Sequence, residues 1–234
     1  MSLSVTTLSI FTLRPGHRRW ALARMGTGPR ALKRVPGLRF AQLMGSGNAS
    51  GFGFWPNLDR YGLLAVWDDA AAAEAFLQTD FWTDYQRRTQ EIWQLRLAPL
   101  RAHGLWDGQQ PFACTTDAGP ENAPVAVLTR ASIRWQKAPR FWQYVEPTSA
   151  ALADAAGVRA AIGLGELPLV RQATFSVWES AAAMQQYAYR DARHREVIKL
   201  TRSENWYGEE LFARFRVLGS SGTLNGAEPL AGLM

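Results

Sequence analysis

The sequence predicts an α+β protein made of two tandem ferredoxin-like halves packed sheet to sheet, a one-chain version of a dimeric α+β barrel. Three observations carry this. First, a strand-cap-helix block occurs twice in one register. Leu63-Leu64-Ala65-Val66-Trp67-Asp68-Asp69 runs into Ala70-Ala71-Ala72, and Thr174-Phe175-Ser176-Val177-Trp178-Glu179-Ser180 runs into Ala181-Ala182-Ala183. Second, other pieces recur around this block in the same order. Third, the strands are rich in apolar residues, and two ferredoxin-like sheets left apart would each expose an apolar face, so covering one with the other is the economical solution.

The elements follow in chain order. Leu3–Leu13 and Val125–Trp135 read as strands with β-branched residues. Each precedes a helical stretch with a central tryptophan, Arg18–Met25 around Trp20 and Arg140–Val145 around Trp142. A Gly-x-Gly turn is expected next, at Gly45-Ser46-Gly47 and again at Gly163-Leu164-Gly165. The repeated block then supplies a buried strand and a helix whose N-caps are Asp69 and Ser180, side chains whose oxygens accept from free helix N–H groups. A last strand closes each half, near Leu95–Leu100 and Leu211–Leu218. The order β-α-β-β-α-β in each half is the ferredoxin-like plan. The expected divisions are an N-terminal half at 1–103, a linker at 104–124, a C-terminal half at 125–219 and a flexible tail at 220–234. Six glycines and prolines punctuate the linker (Gly104, Gly108, Pro111, Gly119, Pro120 and Pro124), and the tail opens Gly/Ser-rich.

Composition narrows the function classes. With 47% hydrophobic and 20% charged residues over 234 positions, the chain can bury a real core. A single cysteine, Cys114, forms no intramolecular disulfide. No signal peptide is evident, and no run approaches the roughly 20 apolar residues of a membrane span. A cytoplasmic protein is expected, at most peripheral on the inner membrane. The net charge of +6 is unevenly spread: the first acid is Asp59, preceded by Arg14, Arg18, Arg19, Arg24, Arg30, Lys33, Arg34 and Arg39. Such a region fits anionic lipid, nucleic acid or an acidic protein, or is a solvated basic face. No nucleic-acid-binding motif accompanies it.

Phosphate-binding loops, a nucleophile elbow and a Cys-x-x-Cys-His haem attachment are absent. Gly45-Ser46-Gly47-Asn48-Ala49-Ser50-Gly51 has the wrong spacing for a dinucleotide fingerprint. His17, His103 and His194 are the three histidines, in distant segments. His194 lies in Asp191-Ala192-Arg193-His194-Arg195-Glu196-Val197-Ile198, where helical spacing places it on one face with Val197 and Ile198. An imidazole facing an apolar cavity is what a proximal haem ligand requires; packed into a core, the same residue is simply structural. His17, beside Arg18 and Arg19, and His103, at the linker edge, are expected to face solvent.

Longer strings carry a specific resemblance. They include Gly45-Ser46-Gly47 with Gly51-Phe52 and Pro56-Asn57, Leu64-Ala65-Val66-Trp67, Trp106-Asp107-Gly108 with Pro111-Phe112, and Leu128-Thr129-Arg130-Ala131. Gly163-Leu164-Gly165-Glu166-Leu167-Pro168, Gln172–Trp178 and Glu209–Gly219 extend them through nearly the whole chain. In these strings the sequence resembles the spheroidene monooxygenase family of bacterial carotenoid biosynthesis. The resemblance implies a dimeric α+β barrel, haem b with its iron as cofactor, and oxygen insertion at a terminal carbon of an acyclic carotenoid, hydroxyl first and ketone after a second round. It also implies a reduced ferredoxin or similar donor, and gives the basic first quarter two compatible readings, receiving an acidic ferredoxin and resting on the membrane that holds the substrate. In related haem barrels a helix of the C-terminal half carries the proximal histidine, where His194 stands here. His194 is thus the expected iron ligand, with Phe175, Trp178, Ile198 and Trp206 around the cofactor and Phe141 and Trp142 as further pocket aromatics. O–O cleavage calls for a cation on the distal side, for which Arg130, Arg171 and Arg214 are candidates. A peroxidase-like enzyme or a haem-binding protein on the same fold, and a cofactor-free barrel oxygenase, are the alternatives.

Overall fold

In the computed structural model, residues 4–47, 55–167, 169–190, 200–201 and 203–234 are described. The first half consists of β1 (Val5–Leu13), α1 (Arg18–Leu32), β2 (Leu38–Gly47), β3 (Pro56–Trp67), α2 (Ala70–Phe76), α3 (Asp80–Arg88) and β4 (Thr89–Gly104). The second consists of β5 (Val125–Ile133), a single 3₁₀ turn at Trp135–Lys137, α4 (Ala138–Ala153), β6 (Val158–Leu167), β7 (Arg171–Trp178), α5 (Ala181–Arg190) and β8 (Tyr207–Gly222). Each half has the expected plan, and in the first half two helices, α2 and α3, stand between β3 and β4. Both anticipated caps form: Asp69 accepts from the Ala72 N–H at 2.9 Å, and Ser180 from that of Ala183 at 3.2 Å.

The two sheets do more than stack. They close into one antiparallel barrel of order β1-β3-β2-β6-β7-β5-β8-β4. Closure removes every sheet edge and lets the inner faces of the apolar strands cover one another. The β4–β8 junction is long, whereas β2 and β6 pair only at Gly45↔Gly165 and Ser46↔Leu164. The two Gly-x-Gly motifs expected to be turns are therefore strand residues: cross-strand pairing overrides the turn preference of glycine. Alternate residues of each strand fill the barrel interior, among them Leu8, Ile10, Leu64, Trp93, Leu128, Phe175 and Phe215. The other faces look outward to the helices.

The duplication reaches the segments that follow each half. Asp107-Gly108 and Asn225-Gly226 are two-residue turns with both residues at positive φ, each closed by an antiparallel bridge, Trp106↔Gln109 and Leu224↔Ala227. A glutamate at the start of the other half's last strand holds each turn. Glu209 accepts from the N–H groups of Asp107 and Gly108, both at 2.8 Å, and Glu91 from those of Asn225 (3.0 Å) and Gly226 (2.6 Å). Trp106 and Phe112 of the linker, and Leu224 and Leu230 of the tail, are buried in the barrel core. The stretch expected to be a flexible tail is thus packed: β8 itself runs to Gly222, and apolar side chains beyond it are drawn under the barrel end.

Burial pushes the carboxyl groups of Glu91 and Glu209 up, but the N–H donors, with Thr223 and Thr12 at Glu91 and Arg130 at Glu209, outweigh it and hold both below the ordinary glutamate value. A carboxyl lowered in the fold stabilises at pH above its unfolded value and ceases to do so as pH falls through the folded one. Urea midpoints are accordingly expected to be flat above about pH 5 and to fall steadily below it, and Glu91→Gln should flatten part of that fall.

Candidate functional site: the outer face of the second sheet

Register equates the two halves residue by residue. Thr12 opposite Glu91 and Arg60 matches Ser132 opposite Glu209 and Arg171, and Trp67 matches Trp178. The outer face of the first sheet is filled. Phe11, Leu63, Ala65 and Trp67 lie under Phe76 of α2 and Phe81, Trp82 and Tyr85 of α3 in one buried cluster. The matching face of the second sheet carries smaller residues at two of these positions, Thr174 where the first half has Leu63 and Gly163 where it has Leu43, and Thr129 stands where it has Ser9. Among the described residues its helix contacts lie toward the ends, with Phe141 of α4 and Trp206 on Ala131 and Ile133, and Tyr187 of α5 on Trp178. Thr129 sits on β5, a central strand, yet is exposed to solvent, whereas its counterpart Ser9 is 2% exposed. An exposed residue in mid-sheet, on a face flanked by helices, marks a recess that these side chains do not fill.

The row across this recess runs His103–Phe212–Thr129–Thr174–Gly163, each residue the direct partner of the next. The ring of His103 stacks on Phe212 at 5.1 Å between centroids. One row further along the same face is Arg214, paired with Val127 and Arg101. The Arg214 Nε is buried and has no hydrogen-bond partner among the described residues. A buried cationic donor beside a polar, small-residue recess suits an oxygen-bearing or anionic ligand group.

The structure separates the other expected site residues. Arg130 points the opposite way, into the end of the barrel, with its side chain 0% exposed. It donates to Glu166 at 3.1 Å, to Glu209, and to Asp107 at 3.3 Å, and its guanidinium lies 5.3 Å from the centre of the Trp106 ring. Burial opposes its charge, but Glu166, Glu209 and Asp107 outweigh it and raise its pKa above the ordinary arginine value. Arg171 joins the same cluster through Asp107 (3.1 Å) and Glu166 (3.5 Å). Arg130 and Arg171 are thus brought together, in an ion cluster with three carboxylates that ties the linker turn to β5, β6, β7 and β8, on the far side of the sheet from Arg214. Phe175 also faces the barrel interior. Trp178 faces the helix layer, donating to Ser176 at 3.0 Å and packing on Tyr187 of α5. Trp206 is fully buried against Phe141 and Tyr144 and donates to Glu204 at 2.9 Å. His194 and Ile198 lie outside the described residues. Among the described residues no group of three or more His, Cys, Asp or Glu is arranged to hold a metal ion. His103 is exposed, as its place at the linker edge implies, and what sequence reasoning passed over is its position beside the recess. The linker's glycines and prolines suggested an earlier end to β4, and only the extension of that strand to Gly104 brings His103 onto the recess.

No family model matches the chain. Among curated proteins, the spheroidene monooxygenase of Rubrivivax gelatinosus is 40% identical over 223 residues, covering 95% of this chain and 85% of its own length. That of Rhodobacter capsulatus is 37% identical over 214 residues, covering 91% and 89%. Among solved structures, an aldoxime dehydratase covers 92% of this chain and 81% of its own, with a TM-score of 0.58 at 13% identity. Another, in complex with butyraldoxime, covers 98% and 84% with a TM-score of 0.58 at 10% identity. At that identity the structural likeness concerns the fold alone. Identity of this extent across almost all of both curated relatives shows that the chain belongs to the spheroidene monooxygenase family.

Proposed function

We propose that this monooxygenase inserts oxygen into an acyclic carotenoid of the spheroidene type, at a haem b seated against the outer face of the second sheet with His194 as iron ligand. The observation that carries the reading is the exposure of Thr129 on a central strand, where the first half has a filled core. A flat macrocycle needs a broad, shallow bed of small side chains on one side and a helix on the other. Thr129, Thr174 and Gly163 would supply the first, and the stretch with His194, which its sequence pattern reads as helical, would supply the second. When bound, the haem would supply dioxygen activation, drawing electrons from a reduced ferredoxin or similar donor.

The chain's own contribution is binding and electrostatics. Arg214, half-buried with a buried and unpartnered Nε, would offer its guanidinium to negative charge developing in the recess. Phe141, Trp142 and Phe212 limit water around an apolar substrate. His103, at the rim of the row, is placed to exchange protons with solvent. A first insertion converts a C–H bond to C–OH. A second at the same carbon forms a geminal diol, which loses water to leave the ketone.

The test is the absorption spectrum of the protein reconstituted with haem. The wild type is expected to show a Soret band that is lost or shifted in His194→Ala and kept in His103→Ala. A wild type that takes up no haem, or a band unchanged in His194→Ala, would overturn the haem assignment. A second variant reads the seat itself. Thr129→Phe places a ring in the recess on a residue that strands accept, so stability should change by no more than about 0.5 kcal/mol while haem uptake is largely lost. Equal uptake at equal stability would move the seat elsewhere.

A further inference from the structure

We propose that the protein docks on a lipid bilayer through an apolar tip formed by the β6–β7 hairpin and the turn that begins α4. Three large apolar side chains are exposed there: Trp135 at 75%, Leu167 at 52% and Leu169 at 37%. They belong to one place in the fold. The Ile133 N–H, two residues before Trp135, donates to the Val170 carbonyl at 2.7 Å, and Trp142 of α4 donates to the Leu169 carbonyl at 3.1 Å. Exposed Leu and Trp each forgo burial worth about 1.5–3 kcal/mol, so three on adjoining segments at one end of the sheet signify a surface that meets an apolar partner.

The chemistry favours lipid over an acidic protein. Arg134 and Lys137 flank the tryptophan, and neither has an ion-pair partner among the described residues. The neighbouring carboxylates are already engaged: Glu166 and Asp107 by Arg130 and Arg171, Glu204 by Arg140. A tryptophan and leucines with two basic residues beside the tryptophan match the bilayer interface, where the ring sits at headgroup depth and the cations meet phosphates. The basic first quarter is less available than its charge suggests. Arg18 pairs with Asp59, Arg24 with Asp84 and Arg39 with Asp68, while Arg14 donates to the Thr89 carbonyl. The tip also lies where α4 meets the second sheet, at the end of the proposed recess. For its purpose, delivery of a bilayer-dissolved hydrocarbon, it rests on the reading above; for its existence it rests on the exposed residues alone.

Vesicle flotation without substrate separates the two. Wild-type protein is expected to float with vesicles of phosphatidylcholine and phosphatidylglycerol, and more weakly with phosphatidylcholine alone. Trp135→Ser with Leu167→Ser should weaken the partition by about tenfold or more while leaving the unfolding midpoint and haem uptake unchanged. Arg19→Gln with Arg30→Gln, Lys33→Gln and Arg34→Gln on α1 should change it less than the tip variant does. Failure of the wild type to float, or loss of flotation in the α1 variant with retention in the tip variant, would overturn the proposal and leave the haem and substrate assignments to their own tests.

Discussion

Replacing Arg130 with methionine is expected to destabilise the fold by about 3 kcal/mol. Methionine fills a similar length and can still lie against Trp106, so lost volume contributes little. The loss comes from charge. Arg130 is wholly buried and answers Glu166, Glu209 and Asp107 at once. Without it, three carboxylates surround an apolar side chain at the mouth of the barrel. Arg171 relieves Asp107 and Glu166, and all three carboxylates reach some solvent, which holds the figure at the lower end for a broken buried pair. Lysine should recover little, because one ammonium does not reproduce three divergent N–H directions. Urea unfolding checks this: a lower midpoint at unchanged slope is expected, and a change below about 1 kcal/mol would mean that the cluster is replaceable by packing.

The second large effect concerns backbone rather than charge. Gly104 and Gly222 occupy equivalent positions at the ends of β4 and β8, with φ of +83° and +78°. A Cβ at Gly104 would lie 2.1 Å from the carbonyl oxygen of Glu210, and one at Gly222 would lie 1.9 Å from that of Ile92. Both obstacles are backbone atoms of a paired strand, which cannot swing aside as a side chain would. Alanine adds the left-handed penalty of about 1–2 kcal/mol to the shift needed to relieve the overlap. Gly104→Ala and Gly222→Ala are each expected to cost about 3 kcal/mol or to prevent folding. Gly226→Ala is the control: its φ is +82°, but no atom lies within 4 Å of the added Cβ, so only the conformational part should appear. Thermal unfolding of the three variants distinguishes overlap from conformation.

Much of this architecture was legible in the sequence because it is local. Asp69 and Ser180 cap helices through atoms three residues away, and alternation with a period of two is readable wherever one strand face is buried. The repeat of Val-Trp, acid, cap and alanines identified two copies of one unit, and two units with apolar sheets implied a shared core. The Asp107-Gly108 and Asn225-Gly226 turns were equally available as hairpin signals, but the surrounding Gly, Pro and Ser residues masked them.

The sequence by itself determined the duplication, the strand-helix order, the caps and, through long matching strings, the family. Tertiary structure alone decided which residues meet. Arg130, Arg171 and Arg214 look alike as strand arginines, yet closing the barrel turns Arg130 inward to a carboxylate cluster and Arg214 outward to the helix side. One residue of register separates those outcomes, because successive strand side chains face opposite sides of the sheet. Placing His103 against Phe212 required the long β4–β8 junction, a pairing between residues more than a hundred positions apart. The recess at Thr129 is likewise a difference between two faces that only their superposition in space reveals: small side chains mean little in a sequence until it is seen that, among the described residues, no side chain of the helix layer fills the space above them.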